Sequence, residues 1–249
     1  MMSALGFIVG SACSNLILDI KSRSPTKTPF GTPSSPVLEV AFDDCRILCI
    51  FRHGESSKIP PHMVNYRANL WALREHGVRQ CLGLSAVGTL DPGFPPGELA
   101  IPEQIIDYTW GREHTFCDGN AELQHVDFTN PFDENLRAQV AEAAQMSNFS
   151  IRGGVYGVTQ GPRLETASEI NRLEQDGCTM VGMTGMPEAG LAREIGMRYA
   201  ICAMAVNHAA GRGNEHSDIH AQFKRYVPQA VGRLSRVLGH LVPDLCEGS

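Results

Sequence analysis

The chain has 249 residues, 43% hydrophobic and 19% charged, which is ordinary for a globular protein able to bury a sizeable core. Its 21 Lys and Arg are scattered and outnumbered by 27 Asp and Glu, for a formal charge of −6. That excludes a protein built to grip a nucleic-acid backbone, which needs a concentrated basic face, but not one that holds a small anion in a cleft. The apolar runs are too short for a membrane span.

In chain order, Leu5–Gly10 reads as a short buried strand running into a small-residue turn, not as an export segment, because no Lys or Arg precedes it. Ser22–Pro36 reads as a Ser/Thr/Pro-rich loop. Val37–Phe51 gives two strand-like pieces around Asp43-Asp44, and Asn65–Gly77 has apolar residues at helical spacing with a glycine stop. Gln80–Val87 is a buried strand, Gln104–Tyr108 is extended, and Glu134–Gln145 is an amphipathic helix. Strand Gly154–Val158, helix Ala167–Gly177, strand Met180–Met183 and helix Pro187–Gly196 follow, with Pro187 suited to a first helical turn. Tyr199–Val206 is a long buried strand and Tyr226–Leu241 a closing helix. The alternation predicts an α/β protein, and the lack of any repeat or composition break predicts one domain over residues 1–249.

The eight cysteines are spread along the chain without a CxxC, so they read as reduced thiols of a soluble cytoplasmic protein. Several strands end in small or polar clusters: Gly10-Ser11-Ala12, Arg52-His53-Gly54, Ser85-Ala86-Val87-Gly88, Gly182-Met183-Thr184-Gly185 and Asn207-His208. Ligands of α/β sheets collect beyond such strand ends. Glycine allows close backbone approach, Ser85 and Thr184 offer hydroxyls, and Arg52 offers a planar fork suited to phosphate. Taken singly, each cluster also reads as a tight turn, Glu165 as a helix cap and Met183 as core. His216 and His220 stand at metal-pair spacing, but no third ligand accompanies them, so no metal is expected. Gly211–Asp218 reads as a flap beside the site.

Three segments carry a resemblance: Pro61-His62-Met63-Val64-Asn65-Tyr66-Arg67-Ala68-Asn69, Thr159-Gln160-Gly161-Pro162-Arg163-Leu164-Glu165-Thr166, and Gly182-Met183-Thr184-Gly185-Met186-Pro187-Glu188-Ala189. In this order they resemble the trimeric purine nucleoside phosphorylase and methylthioadenosine phosphorylase family, closest to its bacterial S-methyl-5'-thioinosine branch. The resemblance implies a mixed, partly barrel-like sheet flanked by helices, assembled as a homotrimer. It implies phosphorolysis of a purine nucleoside with inorganic phosphate as co-substrate and no cofactor. By position, Ser11, Arg52, His53, Ser85, Ala86 and Thr184 would hold phosphate. Met183 would lie under the ribose, Leu164 would pack on the base, and Glu165 and Asn207 would read the purine. His125 would be lent to a neighbouring subunit. Catalysis would rest on Asn207, Glu165, Arg52 and His53.

Two stretches depart from the family pattern. Gly10-Ser11-Ala12-Cys13 replaces Gly-Gly-Thr-Gly, and Glu55-Ser56-Ser57 replaces a His-Pro-His stretch, with Glu55 expected to face solvent. A hydrolase using water, or a nucleoside-binding protein without turnover, are the rival readings.

Overall fold

The structure is a computed structural model that describes residues 4–13, 19–42, 45–119, 123, 125–213 and 218–247. Its centre is β1 (Ala4–Val9), six residues buried throughout. β1 lies parallel to β4 (Cys45–Phe51) on one side and to β5 (Val78–Thr89) on the other. Beyond β4 come β3 (Val37–Phe42) and the edge strand β2 (Asp19–Ser24), both antiparallel.

β5 is where the sheet forks. Along most of its length it pairs in parallel with β10 (Arg198–His208), which also carries the short antiparallel β6 (Leu99–Ala100). At its end, Gly88 and Thr89 pair antiparallel with Val181 and Met180 of β9 (Met180–Gly182). From β9 the sheet continues in parallel through β8 (Val155–Val158) to β7 (Gln104–Asp107), ten strands among the described residues. The result is the α/β architecture expected from the alternation of elements, with the mixed sheet that the resemblance implies.

Side-chain alternation along the strands creates two cores. Ala4 and Ile8 of β1 join Leu48, Ile50, Leu70, Leu73, Leu191 and Ile201 on the face covered by α1 (Tyr66–Glu75) and α4 (Gly185–Glu194). Leu5, Phe7 and Val9 join Ile47, Leu82, Leu84, Val140, Leu234 and Leu241 on the face covered by α2 (Glu134–Met146) and α5 (Ile219–Glu247). At Gly83 a Cβ would collide with the Tyr199 hydroxyl and crowd Glu188, so that point of β5 must stay bare.

Caps fix the helix starts. Asn65 accepts from Ala68 N–H, and Asp133 from Leu136 N–H. α3 (Ala167–Gln175) opens with a full capping box between Thr166 and Glu169. α4 is irregular at Met186 (φ −116°, ψ 140°), so its regular turns start at Pro187, as the sequence implies.

Three readings are corrected. Part of the Ser22–Pro36 loop belongs to β2, an exposed polar edge strand with no apolar alternation to betray it. α5 starts at Ile219, ahead of Pro228, which sits inside the helix. Cys45 and Cys246 form a disulfide across 201 residues, so these two are not free thiols, whereas Cys13, Cys49, Cys81, Cys117, Cys178 and Cys202 are.

Candidate active site

A cavity of about 410 Å³ opens beyond the C-terminal ends of β1, β4, β5, β9 and β10. Its floor is built by the strand-end clusters. Gly10 N–H donates to Leu84 O at 3.1 Å, which turns the chain into a short helical turn at Ser11–Cys13. A Cβ on Gly10 would press on Leu84 O and on Arg52 Nη1, so the close approach of these strands needs glycine here. Ser11 lines the cavity. Cys13 is buried beneath it, and burial pushes its thiol up to about 12, so it stays protonated.

Arg52 lines the same wall yet is 0% exposed. Its Nε and Nη2 donate to the two carboxylate oxygens of Glu188 at 2.8 and 2.7 Å. Nη2 also donates to Ile8 O at 3.3 Å, and Nη1 to Leu84 O at 2.9 Å. Among the described residues this leaves an Nη1 hydrogen for a ligand. Burial alone would weaken the guanidinium as a base, but the attraction of Glu188 outweighs it and raises the Arg52 pKa. The Tyr199 hydroxyl donates to Glu188 Oε1 at 2.5 Å and completes the buried network.

His53 is half-buried, and its Nδ1 contacts Ile59 O at 2.8 Å. A carbonyl only accepts, so Nδ1 carries the proton and Nε2 is an acceptor in the neutral ring. Burial first, and the Arg52 charge second, lower the His53 pKa.

Opposite lies Thr184, at the N-cap of α4 but making no side-chain cap bond, so its hydroxyl remains available to the cavity. Ser85 Oγ stands 3.3 Å from Thr184 Oγ1; it is buried behind the wall, while Ala86 lines it. Leu164, Glu165, Met183 and Asn207 also line the cavity. Glu165 Oε1 accepts from Thr159 Oγ1 at 2.5 Å. Because Thr166 and Glu169 cap α3, Glu165 is released from that structural role. A register shift in β10 between Ala205 and Asn207 brings Asn207 beside Gly88. Asn207 is 7% exposed, and its Nδ2 donates to His208 O at 2.7 Å, leaving a second amide hydrogen.

Ser11, Arg52, His53, Ala86, Leu164, Glu165, Met183, Thr184 and Asn207 therefore meet in one cavity. His125 lies elsewhere, exposed on the surface. Glu55 faces solvent and pairs with Arg23 at 2.5 Å. His216 and part of the Gly211–Asp218 segment lie outside the described residues, and His220 is exposed on α5. Among the described residues no group of three or more His, Cys, Asp or Glu is placed to hold a metal.

Sequence reasoning missed two residues of the site's framework. Glu188 was legible as a lone acid in the apolar run Pro187–Ala192, which demands a buried partner. Arg112 gave no signal, being one cation in a polar loop. It is nonetheless buried, donating from Nη1 to Met183 O at 2.8 Å and Met186 O at 2.6 Å, and from Nη2 to Gln160 O at 2.8 Å and Thr159 O at 3.2 Å. It staples the loop that carries Glu165 to the turn that carries Met183 and Thr184.

This fold, with Arg52 and Thr184 facing a carboxylate–amide pair in one cavity at the strand ends, is that of a nucleoside phosphorylase, and residues 5–243 match the Phosphorylase superfamily, to which the chain belongs. The chain is 44% identical over 241 residues, covering 96% of both proteins, to a Xanthomonas campestris protein named "Probable S-methyl-5'-thioinosine phosphorylase". It is 39% identical over 228 residues to the Pyrococcus furiosus "6-oxopurine nucleoside phosphorylase", covering 88% of this chain and 85% of that one. Among solved structures, methylthioadenosine phosphorylase from Schistosoma mansoni in complex with adenine superposes with a TM-score of 0.91 at 28% identity, covering 98% of this chain and 92% of that one.

Proposed function

We propose that the chain cleaves the N-glycosidic bond of a 6-oxopurine nucleoside with inorganic phosphate. S-methyl-5'-thioinosine is the favoured substrate, giving hypoxanthine and 5-methylthioribose 1-phosphate. The observation that carries this reading is that Arg52, Ala86 and Thr184 share one cavity with Glu165 and Asn207.

A phosphate oxygen attacks C1' as the C1'–N9 bond breaks. Its electron pair enters the purine while positive charge grows on the ribose. Phosphate is thus both nucleophile and counter-charge, and holding it beneath C1' supplies the positioning on which the rate depends. The second Asn207 amide hydrogen donates to purine N7 and stabilises the leaving base. Glu165 accepts the N1 hydrogen of a 6-oxopurine, whereas an adenine presents a lone pair there and is repelled. Met183 packs under the sugar, and neutral His53 accepts a hydroxyl hydrogen at Nε2.

The working form is a single-domain chain in a cytoplasmic homotrimer. Sedimentation as a stable monomer would contradict it.

The decisive assay measures base release from inosine, methylthioinosine and methylthioadenosine, each with and without phosphate. Phosphate-dependent release of hypoxanthine, fastest from methylthioinosine, is expected. Release undiminished without phosphate indicates a hydrolase, binding without release indicates a nucleoside-binding protein, and a preference for methylthioadenosine overturns the 6-oxo assignment.

A further inference from the structure

The charged and titratable side chains that line the cavity are Arg52, His53, Lys58 and Glu165. Three of them bring no net positive charge. The Arg52 guanidinium is cancelled by Glu188 at 2.7 Å, with both side chains 1% exposed. His53 has its Nδ1 hydrogen on Ile59 O, and burial disfavours a second proton. Glu165 is a carboxylate. Phosphate at neutral pH is a mixture of monoanion and dianion, so the wall that receives it lacks a matching charge.

Lys58 is the exception. Among the described residues its ammonium has neither a hydrogen bond nor an ion pair. The nearby Glu55, which could have competed for it, is engaged by Arg23.

The loop that carries Lys58 is tightly built. Gly54 (φ +75°) and Ser57 (φ +52°) both take left-handed backbone, and Ser57 N–H donates to Gly54 O at 2.9 Å. Left-handed backbone is a strained choice for serine, of the sort that persists where the surroundings enforce it. Just beyond Lys58, Ile59 N–H donates to His53 O at 3.1 Å while His53 Nδ1 reaches Ile59 O, so the loop is pinched shut onto the strand end that carries Arg52. The reversal at Ser57 and the pinch at Ile59 put Lys58 on the cavity wall.

We propose that Lys58 supplies the net positive charge for the phosphate co-substrate, pairing with phosphate held by Arg52 Nη1, Ala86 and Thr184. The assignment rests on the phosphorolysis reading above. It makes the Gly54–Ile59 loop part of the phosphate site, in the stretch where the chain departs from its family's pattern.

The test uses the full chain, with phosphate varied at constant ionic strength and methylthioinosine saturating. Lys58→Met raises the KM for phosphate about tenfold, the scale of a partly solvated charge-assisted hydrogen bond. The kcat at saturating phosphate and the KM for nucleoside stay within about twofold, and Lys58→Arg recovers most of the loss. A phosphate KM unchanged in Lys58→Met overturns the proposal. So does a rise confined to nucleoside KM, or an effect seen only on inhibition by inosine 5'-monophosphate; either places the ammonium at the 5' end of the sugar. Should the wild type release base without phosphate, the phosphorolysis reading falls. Calorimetric titration of inorganic phosphate into wild type and Lys58→Met then still decides the matter, equal affinities counting against Lys58.

Discussion

Arg52 and Glu188 are each 0% exposed, and each is tolerable only because of the other. Removing one charge strands its partner in a low-dielectric interior. Glu188→Gln is therefore expected to cost about 3–5 kcal/mol in denaturant unfolding. The double variant Arg52→Met, Glu188→Leu should cost less than either single change while losing phosphate binding. His53 behaves differently, because its folded pKa lies below the ordinary 6.5, so the folded chain binds that proton less well than the unfolded chain. Its contribution to stability is complete above about 6.5 and is lost as pH falls through the folded value. Unfolding midpoints of His53→Gln measured against pH should show a weaker decline on the acid side; an unaltered profile would show that His53 is not the titrating group. On the proposed reading Asn207 sets base choice: Asn207→Asp exchanges an amide donor for a carboxylate that can accept the 6-amino hydrogen of adenine, and the ratio of kcat/KM for methylthioinosine over methylthioadenosine should drop by about tenfold or more.

At the scale of elements, Arg112 ties the segment at Thr159 and Gln160 to the turn at Met183 and Met186. Arg112→Met leaves the carbonyls of Thr159, Gln160, Met183 and Met186 without their donor, and both loops gain freedom. The KM for nucleoside should rise about tenfold or more, with a smaller change in the KM for phosphate. Equal changes in both would show a general loosening of the fold. The same elements show what could be read from the chain alone. β1, β5 and β10 were legible because a strand buried on both faces is an apolar run, and α1 because apolar residues at helical spacing run up to the stop at Gly77. β2 was not legible, since an edge strand with neither face buried has no hydrophobic period to reveal it. The start of α5 was not legible, since within 219–225 Gln222 alone is buried and no apolar period marks the first turns. The site's outer shell was legible through its motifs. Of its supports, Glu188 shows in the sequence only as a lone acid in an apolar run and Arg112 not at all, because Arg52, which pairs with Glu188, and Thr159, which accepts from Arg112, lie more than 40 positions away.

Across the whole molecule, the disulfide between Cys45 and Cys246 ties the start of β4 to the end of α5. Closing a loop with a sequence separation of 201 restricts the unfolded chain, an effect worth up to about 5 kcal/mol in the chain-entropy picture. Unfolding with and without reductant should reveal a difference in that direction, and Cys246→Ala should abolish it. A stability indifferent to reductant would mean that the bond does not form in solution.

The fork at β5 has a geometric consequence. On the proposed reading Ser85, beside Thr184, backs the anion side, and Gly88, three residues beyond it, abuts Asn207 on the purine side. One extended strand thus acts as a ruler of roughly 10 Å, at about 3.3 Å per residue, between the phosphate and the purine. Inserting or deleting a residue there would rescale both subsites together, so the span between them is free to evolve only by redesigning the middle of the molecule.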